Sequence, residues 1–315
     1  MSTTSSPPAT TAVATPDPTG LARRQIAIFL STTFGLLAAS TVTGVALDVD
    51  VRHLADASPT GQAAMYGQAL WPLVGAVVAQ LATRRTLRRP GWGFQRTPWR
   101  TLGLAWLFAV VVGVLPPVLV WVTGFAGFNP ADLARHALLA MTVLALPYVV
   151  LALGEDVGWR GLLVSRLALL GGPRLVVLGS GLAWAAFHWP LMLFLGGAPE
   201  GVPLLWSVPM FTIATTALGA VLAWMRLRWG QWPGVVAHAV LNAVTYHLIV
   251  PATVEDTRTG WVGTESGLAA ALVLTVAAVL WLRSAPLRRV DGRTVAALGT
   301  RPGAPAPRGT GSQAF

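Results

Sequence analysis

Long apolar stretches alternate with short polar loops along most of this chain. Eight stretches hold about 20 apolar residues each, enough to cross a hydrocarbon core of roughly 30 Å. The predicted spans lie near 25–47, 62–83, 101–125, 134–153, 174–195, 203–225, 233–250 and 267–283. This pattern predicts an all-α fold, a polytopic membrane helical bundle of about eight transmembrane helices.

The segments that depart from this pattern lie at the two ends and after the fourth span. Residues 1–21 are rich in Ser, Thr and Pro, and residues 286–315 are rich in Arg, Pro and Gly, so both are predicted to be disordered tails. Residues 22–285 between them form one integral membrane domain. The segment 155–170 mixes four charged residues with apolar ones, which predicts a ninth helix at the membrane surface or dipping in from one side.

Composition supports a membrane protein. The chain is 54% hydrophobic and 11% charged, whereas a soluble domain carries roughly 25% charged residues. Too few charges are present to cover a soluble surface. Cysteine is absent, which excludes a disulfide framework and a thiolate metal site.

The distribution of arginine predicts the orientation. With the N-terminus in the cytoplasm, 19 of the 22 arginines fall in cytoplasmic segments, and eight of the twelve acidic residues fall outside. This positive-inside pattern predicts an even number of spans and cytoplasmic termini in a multi-pass protein of the cell membrane. It also explains the net charge of +10 by contact with the lipid bilayer, so no nucleic acid partner is expected.

Four polar side chains lie inside apolar segments, where they are costly to bury. They are Glu155 in GEDVGWRG, His188 in GLAWAAFHWP, and His238 with Asn242 in WPGVVAHAVLNAV. Taken singly, they are compatible with an ion-pair cluster at a helix start, a core histidine with a local partner, and an interhelical hydrogen-bond pair. One shared buried site, assembled from several helices, satisfies all of them together.

The spacing within each segment defines which side chains share a helix face. Asp156 and Arg160 are four residues apart and can pair, which leaves Glu155 about 100° round the helix. Trp184 precedes His188 by four residues, and His238 precedes Asn242 by four. By contrast, His247 lies half a turn away from His238 on an ideal helix, and His53 and His136 fall on the outer side. These three histidines are predicted to be non-catalytic.

Histidine with carboxylate supports two chemistries, and the sequence leaves both open. Imidazole and carboxylate suit zinc, in which case Glu155, His188 and His238 would be the ligands. Alternatively no cofactor is needed, and Glu155 acts as the general base on a water that a histidine positions. Asn242 and one histidine could then stabilise an oxyanion. Either arrangement directs water at an amide carbonyl.

The order and spacing of these motifs resemble those of the CPBP family, the CAAX prenyl protease 2-like intramembrane endopeptidases. The family pattern is EExxxR, then [FW]xxxH, then Hxxx[ND], and it matches over about residues 148–250. The resemblance implies peptide hydrolysis at a site that opens toward the cytoplasm. It implies that Glu155, His188, His238 and Asn242 are catalytic and that Asp156, Arg160 and Trp184 support them. The expected partner is a membrane-associated or prenylated, CAAX-like peptide or protein.

One position departs from the family pattern, since Asp156 stands where the second Glu is usual. Aspartate can still pair with Arg160, although its reach is shorter. The alternative function is a non-catalytic membrane scaffold or bacteriocin self-immunity factor with the same fold. A transporter is a weaker alternative, because two related halves with interrupted helices are not evident. The physiological substrate and the oligomeric state are left open by the sequence.

Overall fold

A computed structural model describes residues 17–88, 91–131 and 133–296 of the chain. The longer α-helices are α1 Pro18–Ala46, α3 Trp71–Arg84, α4 Trp99–Val122, α6 Ala145–Asp156, α8 Pro173–Phe194, α9 Leu204–Trp229, α10 Gln231–Val244 and α13 Leu268–Ser284. The shorter ones are α2 Pro59–Gly67, α5 Leu133–Met141, α7 Ser165–Leu170, α11 Val250–Ala252 and α12 Thr259–Val262. Two π-helices, Val157–Val164 and Thr245–Ile249, and two 3₁₀ turns, Val51–Asp56 and Gln68–Leu70, complete the helical part.

The predicted all-α polytopic bundle is confirmed. In the described part of the chain, six helical segments are long and apolar enough to cross a membrane: Pro18–Ala46, Trp99–Val122, Ala137–Leu170, Pro173–Phe194, Leu204–Trp229 and Gln231–Ala252. The other two predicted spans correspond to shorter helices. The span near 62–83 is divided between α2 and α3, and the last is the 17-residue α13. Eight spans therefore stay a prediction.

Loops that the alternating orientation assigns to one side of the membrane do contact one another. At one end, the Val51 N–H donates to the Leu195 carbonyl at 2.9 Å, and strand β1 (Gly127–Phe128) pairs with β2 (Thr253–Val254). At the opposite end, the Gln231 N–H donates to the Gly93 carbonyl at 2.9 Å. The bundle thus has two distinct ends, as a chain crossing back and forth requires.

Residues 145–170 form one continuous helical segment, so the prediction of a separate ninth helix at 155–170 is wrong, and of its two predicted placements the buried π-helix disfavours the membrane surface. Helix α6 runs directly into the first π-helix and then into α7. All eight residues of that π-helix are buried. Asp156 and Arg160 pair with each other inside the bundle, and Trp159 packs edge-on against Phe29 and Phe187 at 5.2 and 5.5 Å.

Two glycines allow this segment to approach the turn before α3 closely. A Cβ at Gly154 would lie 2.5 Å from the Ala69 carbonyl oxygen, and one at Gly158 would lie 2.5 Å from that of Pro72. Only a residue without a side chain fits at either place. Small residues four apart are a usual means of close helix packing in membranes, and here they hold Glu155 inside the bundle.

Helix α10 packs on the opposite side of α6 through small side chains. Ala152, Val235 and Ala239 form a buried cluster between the two helices. Because alanine lets two helix backbones come close, this contact places the last turn of α6 beside the middle of α10. The polar residues of both helices therefore meet in the bundle interior.

Both predicted tails are shorter than expected. Helix α1 begins at Pro18, with the Asp17 carboxylate accepting from the Thr19 and Gly20 N–H groups. Strands β3 (Leu287–Val290) and β4 (Arg293–Ala296) form a hairpin, which corrects the prediction of disorder for 286–296. The Asp291–Gly292 turn has positive φ at both residues, as two-residue hairpins favour, and Thr294 donates to the Gly171 carbonyl. Residues 1–16 and 297–315 lie outside the described residues.

Candidate active site

Three elements bring the predicted polar residues to one buried place. Glu155 and Asp156 end α6, while Trp184 and His188 lie on α8 and His238 on α10. The Asp156 side chain is fully buried, and those of Glu155 and His238 are nearly so. These groups form two hydrogen-bonded or ion-paired sets that meet at Trp184.

The first set contains Glu155, Trp184 and His188. The Trp184 indole N–H donates to Glu155 Oε2 at 2.8 Å. The backbone carbonyl of the same tryptophan lies 2.9 Å from His188 Nδ1. A carbonyl only accepts, so Nδ1 carries a proton, and in the neutral tautomer Nε2 has the lone pair. His188 is part-exposed, packed beside Phe187 and Phe211.

The second set contains Arg160, Asp156 and His238. Arg160 Nη1 donates to Asp156 Oδ1 at 2.7 Å, within a pair that is almost completely buried. His238 Nδ1 lies 3.4 Å from the same oxygen, at ion-pair distance but without hydrogen-bond geometry. The pairing of Asp156 with Arg160 that the sequence predicts is thus present despite the shorter aspartate side chain.

Trp184 joins the two sets through its ring. The Arg160 guanidinium carbon lies 3.6 Å from the ring centroid, a cation–π contact. The His238 ring meets the indole nearly edge-on, with centroids 5.3 Å apart. One residue, predicted only as a supporting group, therefore contacts both sets.

The second set retains unused hydrogen-bonding capacity. Asp156 Oδ2, Arg160 Nη2 and His238 Nδ1 are buried without a hydrogen-bond partner among the described residues. Buried polar atoms are normally paired with protein or with ordered water. Three such atoms at one place give the site the capacity to bind a water molecule or a polar group of a substrate.

The remaining predicted catalytic residue, Asn242, is less closely tied to these sets. It lies one helical turn beyond His238 and is half-buried. Its side chain makes no hydrogen bond within the described part of the chain. Its role therefore stays a prediction that depends on contact with a substrate.

The arrangement does not fit the predicted zinc ligands. In residues 17–88, 91–131 and 133–296, no three His, Asp or Glu side chains are grouped closely enough to hold a metal ion. Zinc sites use at least three protein ligands. Here His238 adjoins Asp156. Glu155 is hydrogen-bonded to the indole N–H of Trp184, and His188 is hydrogen-bonded to the backbone carbonyl of the same residue. Glu155, His188 and His238 thus lie in one region but not close enough together to share a metal ion.

A polar cluster next to the site was not predicted. The Tyr148 and Tyr246 rings stack with centroids 6.2 Å apart, and the Tyr148 hydroxyl lies 3.4 Å from His247 Nε2. Tyr148 precedes Glu155 by seven residues, a spacing that puts both on one helix face and could have revealed it. The ideal-helix argument for His247 does not apply, because the chain changes to a π-helix at Thr245. Its predicted lack of a catalytic role stays untested.

Comparison with known families supports the resemblance that the sequence motifs indicate. No curated protein is significantly similar to the chain. One family model, described as type II CAAX prenyl endopeptidase Rce1-like, matches residues 137–244, about a third of the chain. The matched range contains all seven predicted site residues and overlaps the predicted core at 148–250. The family is one of proteases, and the chain is a multi-pass membrane protein. The match confirms that this polar core resembles the Rce1-like CAAX endopeptidases of the CPBP family.

Proposed function

We propose that this protein is an intramembrane endopeptidase that uses Glu155 and His188 to direct water at a peptide bond. The observation that carries the proposal is the bridge through Trp184, which holds the carboxylate by its indole N–H and the imidazole by its carbonyl. Packing alone does not require one tryptophan to hydrogen-bond both a carboxylate and an imidazole, whereas a catalytic site that orients the two groups together does. The match to a protease family supports the same chemistry.

The described contacts support one proposed task for each group. With Oε2 engaged by Trp184, the other Glu155 oxygen is available to take a proton from water. His188 Nε2, which keeps its lone pair, accepts the second hydrogen of that water and orients it. The resulting hydroxide attacks the carbonyl carbon, and the proton on Glu155 passes to the departing amine as the C–N bond breaks. Glu155 then regains its charge for the next cycle.

The second set supports the charge that develops on the carbonyl oxygen. His238 and Asn242 are the proposed donors to this oxyanion, one turn apart on α10. Asp156 and Arg160 act as positioning residues. Their buried pair fixes the end of α6 and provides the carboxylate beside His238. A site that opens toward the cytoplasm fits the predicted topology.

The substrate is proposed to be a membrane-associated protein or peptide cut near its C-terminus. Peptides that co-purify with a Glu155→Gln variant, identified by mass spectrometry, would supply the assay. The identified peptide is then offered with and without a prenyl group. Cleavage of the prenylated form alone would assign a CAAX-like substrate, and equal cleavage would assign an unmodified one.

The decisive experiment compares Glu155→Gln with wild type in proteoliposomes. The variant keeps shape and hydrogen bonding but loses the base, so turnover should fall by at least about a hundredfold. Glu200→Gln is the matched control, because Glu200 is a highly exposed carboxylate in the loop after α8. Wild-type turnover in well-folded Glu155→Gln protein would overturn the enzymatic proposal and leave the scaffold alternative.

Metal dependence is tested in the same assay. The geometry around Trp184 supports direct activation of water, so cleavage should survive a chelator and metal-free buffers. Loss of cleavage on chelation, restored by stoichiometric zinc, would instead favour a metalloendopeptidase in which the three predicted ligands rearrange around the ion.

A further inference from the structure

A second polar region lies at the opposite end of the same helical segment. It is a cavity of about 470 Å³ between α1, α3 and α7, which we name the arginine cavity. Arg84, Arg166 and Thr83 form its polar wall, and Leu21 and Leu169 form its apolar wall. No acidic side chain is among the described residues that line it. None of these residues belongs to the candidate active site.

Positive charge accumulates around the cavity. Arg166 is close enough to Arg84 and to Arg226 to interact electrostatically with both. Arg226 Nη2 donates to the Gly91 carbonyl at 2.8 Å, and a side chain at Gly91 would begin 3.9 Å from both terminal nitrogens of Arg166. Three arginines from three elements thus adjoin one another. Their mutual repulsion is relieved when an anion binds between them.

A buried network fixes one of these arginines. Gln25, which is fully buried, accepts from Arg166 Nε at 2.5 Å and donates to Thr83 Oγ1 at 2.9 Å. It also donates to Gln80 at 3.1 Å. This network ties α1, α3 and α7 together and orients the Arg166 guanidinium at the cavity wall. The arginine is therefore pre-organised rather than free to move in solvent.

We propose that the arginine cavity binds a phosphate group, supplied by the headgroup of an anionic phospholipid. Arginine is suited to bidentate contact with phosphate oxygens. Its position favours a lipid over a soluble anion. The cavity lies at the end of the bundle where α1 begins and α3 and α7 end, which is the end that the arginine distribution predicts to face the cytoplasmic headgroups. Leu21 and Leu169 offer the apolar surface that a glycerol backbone and the start of an acyl chain would cover.

The test measures lipid binding by the full-length protein in detergent, by native mass spectrometry and thermal melting. Phosphatidylglycerol is compared with phosphatidylcholine and with inorganic phosphate. Arg84→Gln and Arg166→Gln should each weaken phosphatidylglycerol binding about fivefold, as loss of about 1 kcal/mol per arginine implies. Arg88→Gln, an exposed arginine in the loop after α3 that does not line the cavity, is the matched control.

Each outcome has a defined meaning. Selective loss of phosphatidylglycerol in the two cavity variants supports the lipid site. Stabilisation by inorganic phosphate alone, lost in the same variants, supports the phosphate site but assigns a soluble source. Equal losses in Arg88→Gln, or none in Arg84→Gln, would overturn the proposal in favour of general surface attraction. Arg84 is exposed, so its variant tests the proposal even if Arg166→Gln fails to fold.

Discussion

Arg160 and Arg166 lie six residues apart on one buried helical segment, yet their surroundings differ. Arg160 pairs with the Asp156 carboxylate at 2.7 Å and covers the Trp184 ring. Arg166 donates instead to the uncharged amide of Gln25, and Arg84 and Arg226 lie close enough to interact with it electrostatically. The candidate active site thus contains an internal ion pair, whereas the arginine cavity brings arginines together. The internal pair compensates the buried Asp156 charge without a substrate, and a group of arginines is suited to an external anion.

The largest expected effect comes from replacing Arg160, the positive partner in the buried ion pair with Asp156. Arg160→Gln leaves Asp156 as a buried uncompensated carboxylate, which costs about 3–5 kcal/mol of stability. Thermal melting in detergent measures the loss, with the exposed Arg174→Gln as control. A combined Asp156→Leu and Arg160→Met variant should recover much of the stability, because both charges are then gone. A wild-type melting temperature for Arg160→Gln would refute charge balance as the stabilising feature.

The next effect concerns the bridge between the two polar sets. Trp184→Phe keeps an aromatic ring under Arg160 but removes the indole donor to Glu155. A hydrogen bond to a charged group contributes about 1.5–3 kcal/mol, so cleavage should fall roughly ten- to a hundredfold. Trp189→Phe is the matched control on the same helix, since Trp189 donates to the neutral Thr212 hydroxyl. Equal rates in both variants would mean that the indole donor does not position the carboxylate.

A smaller effect is expected at the second arginine. Arg166→Gln removes a charge that repels its neighbours and can still offer an amide to Gln25. Its cost should be about 1 kcal/mol, the scale of one hydrogen bond, in phosphatidylcholine. The melting temperature in this zwitterionic lipid is the measurement, compared directly with Arg160→Gln. If Arg166→Gln lowered the melting temperature as much as Arg160→Gln does, the two arginines would contribute equally to stability, and the proposed difference between the two regions would be refuted.

The smallest effect is expected at His247. Its ring contacts Tyr148 rather than Glu155 or Asp156. His247→Ala should therefore slow cleavage less than about tenfold, below the roughly hundredfold typical of a lost general acid or base. His238→Ala, nine residues earlier on α10, should exceed that hundredfold. A loss in His247→Ala as large as in His238→Ala would extend the active site to the tyrosine cluster.

The sequence predicted the bundle from its apolar segments, and it singled out candidate site residues because buried polar groups are rare in such segments. Glu155, His188 and His238 stand out for that reason alone, and the family motifs added Trp184. The bridging position of Trp184 could not be predicted, since it depends on how α6, α8 and α10 cross. The zinc ligands were plausible by residue type, but their relative positions depend on the same crossing.

Two errors came from local rules that the structure overrides. Charges at 155–166 suggested a surface helix, although an internal ion pair and a glutamine network allow them to be buried. The tail at 286–296 looked disordered by composition, although Asp291–Gly292, preceded by Val290 and followed closely by Thr294 and Val295, is a strong hairpin signal. At 155–166 the structure is determined by specific side-chain contacts, and at 286–296 by the pairing of two strands. Average polarity predicted neither.

The first π-helix determines how far the Arg166 side chain is rotated about the helix axis relative to Glu155. Its backbone bonds span five residues rather than four, so Val157–Val164 holds more chain per turn than an α-helix would. Deleting one residue there while the remaining turns kept their winding would turn Arg166 relative to Glu155 by about 100°, the rotation of one α-helical residue. The guanidinium would then leave the cavity wall while Glu155 kept its place. Single-residue insertions and deletions at this point should therefore be tolerated far less well than substitutions.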